Sequence, residues 1–321
     1  MGSVNFPLPQ SNGEVETCDP ALRLQISTLE QRLWQGDFSG LDALYKTIPT
    51  DSRCFLLAAR MFLMGAVGCG DAALFAQVMK DVRALPKRFA NSTAAIGAEL
   101  TEIWIRQFLN VTDGYPKWVE DGSIGQIPPE WQFLASFLTT TVLLVRREYA
   151  RAYSAAQMLL YLIPSDSSSI AVSSYLKFVL ATAMQKMGRI EECEQLFHES
   201  VRDAAEHKFV LMFLGVPIGF KSPLRNAFAE EAPDLLRKVR RMSDDFFRNK
   251  VHMHNILTGE QLAECLSPRE FDVASSLRHG LRYKEIAEQL GITVTSVNSI
   301  TKSIYAKLGI HGISSLPGKV W

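Results

Sequence analysis

The chain has 321 residues, 34 Lys/Arg against 34 Asp/Glu, a formal charge of zero and a hydrophobic share of 47%. That length provides for two or more domains with a sizeable core, and the balanced charge excludes a broad field that would draw the whole molecule onto nucleic acid. The five cysteines, at positions 18, 54, 69, 193 and 265, form no CxxC pair and no metal-ligand spacing, so buried free thiols in a reducing compartment are expected.

Residues 1–20 are rich in Pro, Asn, Ser and Gly and read as a disordered lead-in. They lack a basic region followed by an apolar run, so no signal peptide is expected. The apolar stretch Trp131–Val145 is too short to span a bilayer, and the run around Phe178 contains Lys177. Both read as buried helices. A cytoplasmic protein with no membrane partner is the expectation.

From Leu22 the hydrophobic period is helical for more than two hundred residues, with no sustained strand-like alternation. A weak repeat runs through it. Gly36-Asp37-Phe38 precedes Leu41, Leu44 and Tyr45, then Ile48-Pro49; Gly70-Asp71-Ala72 precedes Leu74, Phe75 and Val78, then Leu85-Pro86. Further copies start at Arg147-Glu148-Tyr149 and at Gly188-Arg189-Ile190. Each is a short polar turn followed by an amphipathic helix. More apolar helices precede three of them, at Arg53–Val67, Pro129–Arg146 and Ile170–Met187. One buried helix alternating with one covering helix is how helical-hairpin solenoids are built. The region resembles degenerate tetratricopeptide repeats and is assigned to 21–250. That resemblance implies a concave groove for a protein or peptide partner. Trp104, Tyr115, Trp118 and Trp131 fall in the irregular middle, where aromatics at helical spacing read first as core and second as pocket lining.

Pro217 to Pro223 breaks the period. A charged helix follows to about Lys250, with Leu235, Leu236, Val239, Met242, Phe246 and Phe247 on one side. Its Arg237-Lys238 and Arg240-Arg241 run reads as a solvated face. Residues 251–262, with His252 and His254, read as an exposed linker. Two histidines alone do not make a metal site, and no metal or cofactor is expected.

The last segment, 263–321, carries the densest signal. Ser267-Pro268-Arg269-Glu270 is a helix start with a capping box, and Leu266 can staple onto Phe271. Val273 and Leu277 continue the face, and Gly280 ends it. Tyr283, Ile286, Ala287 and Leu290 form a second helix stopped by Gly291. Thr293 caps a third, with Val297, Ile300, Ile304 and Leu308 on one face and Thr295, Asn298, Ser299 and Lys302 on the other. No acid occurs from Gln289 to Trp321. A helix offered across a glycine turn with polar groups outward is the geometry that enters a major groove.

These residues, together with Lys284-Glu285-Ile286-Ala287-Glu288-Gln289-Leu290 and Ile304-Tyr305-Ala306-Lys307-Leu308-Gly309-Ile310, resemble the C-terminal domain of LuxR-type (GerE-like) bacterial transcription regulators. The resemblance implies a four-helix unit whose third helix reads DNA. Carried over by position, Asn298, Ser299 and Lys302 would face bases, and Thr293, Thr295, Ser296 and Lys307 would sit near phosphates. The chain departs from the family's usual pattern at Asn298 and Ile300. The fourth helix, often a dimer contact in that family, would run through Ser314-Ser315-Leu316-Pro317-Gly318, where Pro317 predicts an interruption. A homodimer is left open.

No Walker-type loop, GxSxG, HExxH or dinucleotide fingerprint is present, so no enzyme is expected. The reading is an all-α chain: a tetratricopeptide-like array followed by a small helix-turn-helix unit. Its function is to bind double-stranded promoter DNA through that unit while the array senses a signal or partner. The alternative is an interaction scaffold with a degenerate helix-turn-helix that does not bind DNA.

Overall fold

A computed structural model describes residues 20–50, 53–88, 92–111, 113–163, 170–216, 218, 222–260, 262, 264–278 and 280–316. The described residues form α-helices and short 3-10 turns, with no strand among them. The expected lead-in lies almost wholly outside them. The first five helices are α1 (Pro20–Trp34), α2 (Leu41–Tyr45), α3 (Arg53–Cys69), α4 (Ala72–Arg88) and α5 (Ser92–Phe108). The next five are α6 (Lys117–Asp121), α7 (Pro129–Val145), α8 (Tyr149–Leu162), α9 (Ile170–Lys186) and α10 (Ile190–His207). Then come α11 (Pro223–Glu231), α12 (Pro233–Thr258), α13 (Pro268–Arg278), α14 (Tyr283–Leu290) and α15 (Val294–Leu308).

The repeat starts read from sequence fall in four turns of one kind. Gly36, Arg147, Gly70 and Gly188 all take the left-handed conformation, with φ of 74°, 65°, 75° and 80°. The residue after each donates its N–H back to the carbonyl five residues earlier, as in Asp71 to Ala66 and Glu148 to Leu143, both at 2.9 Å. That bond closes the helix end and aims the chain into the next helix. Three copies use glycine, which pays no Cβ penalty there; the third uses an arginine. The first copy differs from expectation in length, since α2 has five residues. Pro86, expected to end the second, sits inside α4, which runs on to Arg88.

Consecutive helices pack as hairpins: α3 with α4, α7 with α8, α9 with α10. The apolar partner of each pair is the buried one. Phe55, Ala58, Ala59, Phe62, Leu63, Ala66 and Val67 of α3 are all buried. Full burial of each large side chain contributes roughly 1.5–3 kcal/mol. The array also closes on itself. α12 returns to pack on α3, Val210 N–H donates to Trp34 O at 2.6 Å, and Lys238 Nζ donates to Gln35 O at 2.7 Å. Trp104, Tyr115 and Trp131 are core residues and Trp118 packs against them, so the irregular middle is a packed corner.

The expected linker at 251–262 is corrected. Residues 251–258 are the last turns of α12, because Val251 and His254 continue the apolar stripe set by Phe247 and are buried with Met253. Gly259, at φ 75°, ends the helix. His254 Nδ1 lies 2.9 Å from Leu109 O and Nε2 3.2 Å from Glu260, so it is a core histidine joining α12 to the end of α5. The expectation of buried thiols holds for Cys193, while Cys69 and Cys265 are exposed because they lie at a helix end and in a turn. α12 is a wall shared by two cores. Phe246 faces Phe38 and Phe108 of the array, and its neighbour Phe247 meets Phe271 of the C-terminal unit edge to face at 5.4 Å.

Candidate nucleic-acid interface

The C-terminal unit is built from its caps. Glu270 accepts from Ser267 N–H at 2.7 Å, while Ser267 Oγ accepts from Glu270 N–H at 3.4 Å, which is the capping box the sequence spelled out. Sequence alone did not reveal the second task of that carboxylate. It also accepts from Ser303 Oγ and Lys307 Nζ, both at 2.7 Å, and so ties the start of α13 to the far half of α15. Burial pushes the Glu270 carboxyl up, but the bonds from Lys307, Ser267 and Ser303 outweigh it and hold it below the ordinary glutamate value.

α14 starts where Glu285 accepts from Arg282 N–H at 2.6 Å and stops at Gly291, whose φ is 60°. The chain then reverses into α15. Thr293 Oγ1 accepts from Ser296 N–H at 3.0 Å, and the two hydroxyls lie 2.8 Å apart. Val297, Thr301 and Ile304 are buried under α15, and Thr301 returns its hydroxyl to Val297 O at 2.8 Å rather than leaving it unsatisfied. Phe271, Val273, Leu277, Ile286 and Ala287 complete this core, with Leu266 buried beside them.

The opposite side of α15 is open. Thr295, Asn298, Ser299 and Lys302 are exposed at the i, i+3, i+4, i+7 spacing that lines one helix face. α15 packs on α13 and α14. Thr293 is exposed at the N-terminus of the helix and Ser296 is half-buried beside it. Lys307 is placed apart from the stripe, where Glu270 neutralises much of its charge. Arg282 and Lys284 stand exposed at the start of α14. Sequence reasoning treated Lys284 only as a motif residue.

The tail has no fourth α-helix among the described residues. Residues Ile313–Ser315 form one 3-10 turn, after which Leu316 is buried and its carbonyl accepts from Arg278 Nη1 at 2.9 Å. Pro317, expected to interrupt a helix here, lies outside the described residues.

Residues 264–316 match the model of the family described as bacterial regulatory proteins, luxR family. The match spans the C-terminal unit and leaves the array unmatched. No curated protein and no solved structure matches the chain. Among the described residues, no helix is long and apolar enough to cross a membrane.

Proposed function

We propose that the chain is a sequence-specific DNA-binding transcription regulator. α15 enters the major groove, with Asn298, Ser299 and Lys302 toward base edges. Thr293, Thr295, Ser296 and Lys307 lie along the phosphates, and the helical array senses a signal or docks a partner. The observation that carries this reading is the exposed polar stripe on a capped helix, inside the segment that matches the luxR family model. The chemistry suits the groove: an asparagine amide can pair with adenine through two atoms, a lysine can reach guanine, and short hydroxyls serve base or backbone. Each half-site requires one α15, so a palindromic operator would call for two copies of the chain, one helical turn of DNA apart.

Selection of bound fragments from random-sequence duplexes by the full chain tests this. The expected result is enrichment of a short motif whose binding is lost in Asn298→Ala. Recovery of no enriched motif at low salt favours the scaffold reading.

A further inference from the structure

The surface where the array meets the C-terminal unit forms a partly open cavity of about 580 Å³, within the range that holds a small organic ligand. Its walls come from both parts: the turn before α8, helices α9 and α10, the chain around Gly215, α12 and α13. Its lining includes the apolar side chains Phe178, Phe197, Leu224 and Phe247, and the charged residues Arg146, Arg147, Lys186, Arg269 and Asp272. Arg146 is taken up by Glu120 at 2.6 Å, and Asp272 lies near Lys186 and Arg147, so the lining keeps an excess of positive charge.

One detail sets this lining apart from an ordinary solvated seam. Arg147 holds φ at 65° where the other three repeat starts have glycine, a conformation that costs on the order of 1 kcal/mol for such a residue. Its side chain reaches across to Ser275 of α13, donating from Nη2 at 3.4 Å. Asn110, another non-glycine at positive φ, also lines the cavity. The like-charged neighbourhood extends outward, since Arg225 and Arg269 both lie near Arg240.

We infer that this junction cavity binds a small organic anion, with an apolar body against Phe178, Phe197 and Phe247 and its acidic group on Arg269, Lys186 and Arg147. Such a ligand touches the array and α13 at once, so it fixes how the DNA-reading unit sits on the array. That coupling rests on the DNA-binding reading, whereas the binding itself does not.

The test uses the full chain and 8-anilinonaphthalene-1-sulfonate, an aromatic anion whose fluorescence reports burial. Expected is saturable binding to one site, weakened at least tenfold in the Arg269→Gln/Lys186→Gln double variant. Thr182→Trp, which fills the cavity without changing charge, weakens it similarly. Arg237→Gln, a surface cation outside the cavity, leaves it unchanged, and thermal melts confirm that each variant is folded. Millimolar inorganic phosphate does not displace the probe. No saturable binding, equal binding in the cavity variants, or full displacement by phosphate overturns the inference. In fluorescence anisotropy, saturating probe shifts DNA affinity at least fivefold in the wild type and not in Thr182→Trp. Probe binding with no DNA binding at all leaves the ligand site standing and sinks the coupling together with the DNA-binding reading; DNA binding without probe binding does the reverse.

Discussion

Glu270 shows how one side chain can be read correctly and still be undervalued. Its capping role follows from Ser267-x-x-Glu270, but its bonds to Ser303 and Lys307 join residues more than thirty positions apart, and no local pattern encodes that. Glu270→Gln is expected to cost on the order of 1–3 kcal/mol, because a charged acceptor of three donors becomes a neutral one. The pH dependence has a definite sign. The folded carboxyl titrates below its ordinary value of 4.5, so its contribution is complete above that value and fades as pH falls through the folded pKa. Urea melts from pH 7 down to 3 should show a smaller acid-induced loss in the variant than in the wild type. On the exposed face, Asn298→Ala is expected to cost about 1–3 kcal/mol of specific DNA affinity and to relax base preference at one position. Lys302→Ala, at a base edge, should weaken specific binding while leaving the slope of log affinity against log salt nearly unchanged; a drop of about one in that slope would place it on a phosphate instead. Anisotropy titrations across 50–200 mM salt read the slope.

Elements were legible where local rules decide them. Thr293 and Gly291 bound the third and second helices of the C-terminal unit as their chemistry requires, and Gly36, Gly70 and Gly188 mark turns between consecutive helices, where only glycine enters a left-handed turn without penalty. Arg147 was legible only by its place in the expected repeat. The linker reading failed for a physical reason: His252-Met253-His254 looks polar and irregular, but His254 is satisfied by Leu109 O and Glu260, so the helix continues through it. The packing of α3 was half visible. Its apolar run announces burial, but the need for glycine at Gly68 comes from Phe38, across a turn. A Cβ added at Gly68 would fall 2.5 Å from the Phe38 ring. Gly68→Ala is therefore expected to lower stability by roughly 1–3 kcal/mol, although alanine favours helix by about 1 kcal/mol elsewhere. Chemical denaturation of the purified variant checks the sign directly.

At the scale of the molecule, α12 decides how the parts are joined. It packs on α3, meets Phe38 and Phe108 through Phe246, and supports the C-terminal unit through Phe247 and Val251. Lys250 lies between these contacts, 3.2 Å from Asn110 Oδ1 and 5.6 Å from the Phe108 ring centre, and burial pushes its pKa down to about 8. The folded chain thus holds fewer protons here than the unfolded one between pH 8 and the ordinary 10.5, and stability rises across that window. Lys250→Met is expected to raise stability by on the order of 1 kcal/mol at pH 7, with the gain vanishing toward pH 10.5. None of this was visible in sequence, because closure of the array depends on contacts from Trp34 to Val210 and from Gln35 to Lys238. The exposed polar face of α15 could be read from sequence, since capping residues and a helical stripe fix it within fifteen residues. The junction cavity could not, since residues from Asn110 to Leu290 build it. The most direct test of the whole account is the affinity of the full chain for its selected duplex relative to a scrambled one, measured for wild type and for Asn298→Ala/Lys302→Ala. The account predicts a preference of at least a hundredfold for the selected sequence that collapses to within a few-fold in the variant, on the order of 3 kcal/mol lost; an unchanged preference in the variant would contradict it.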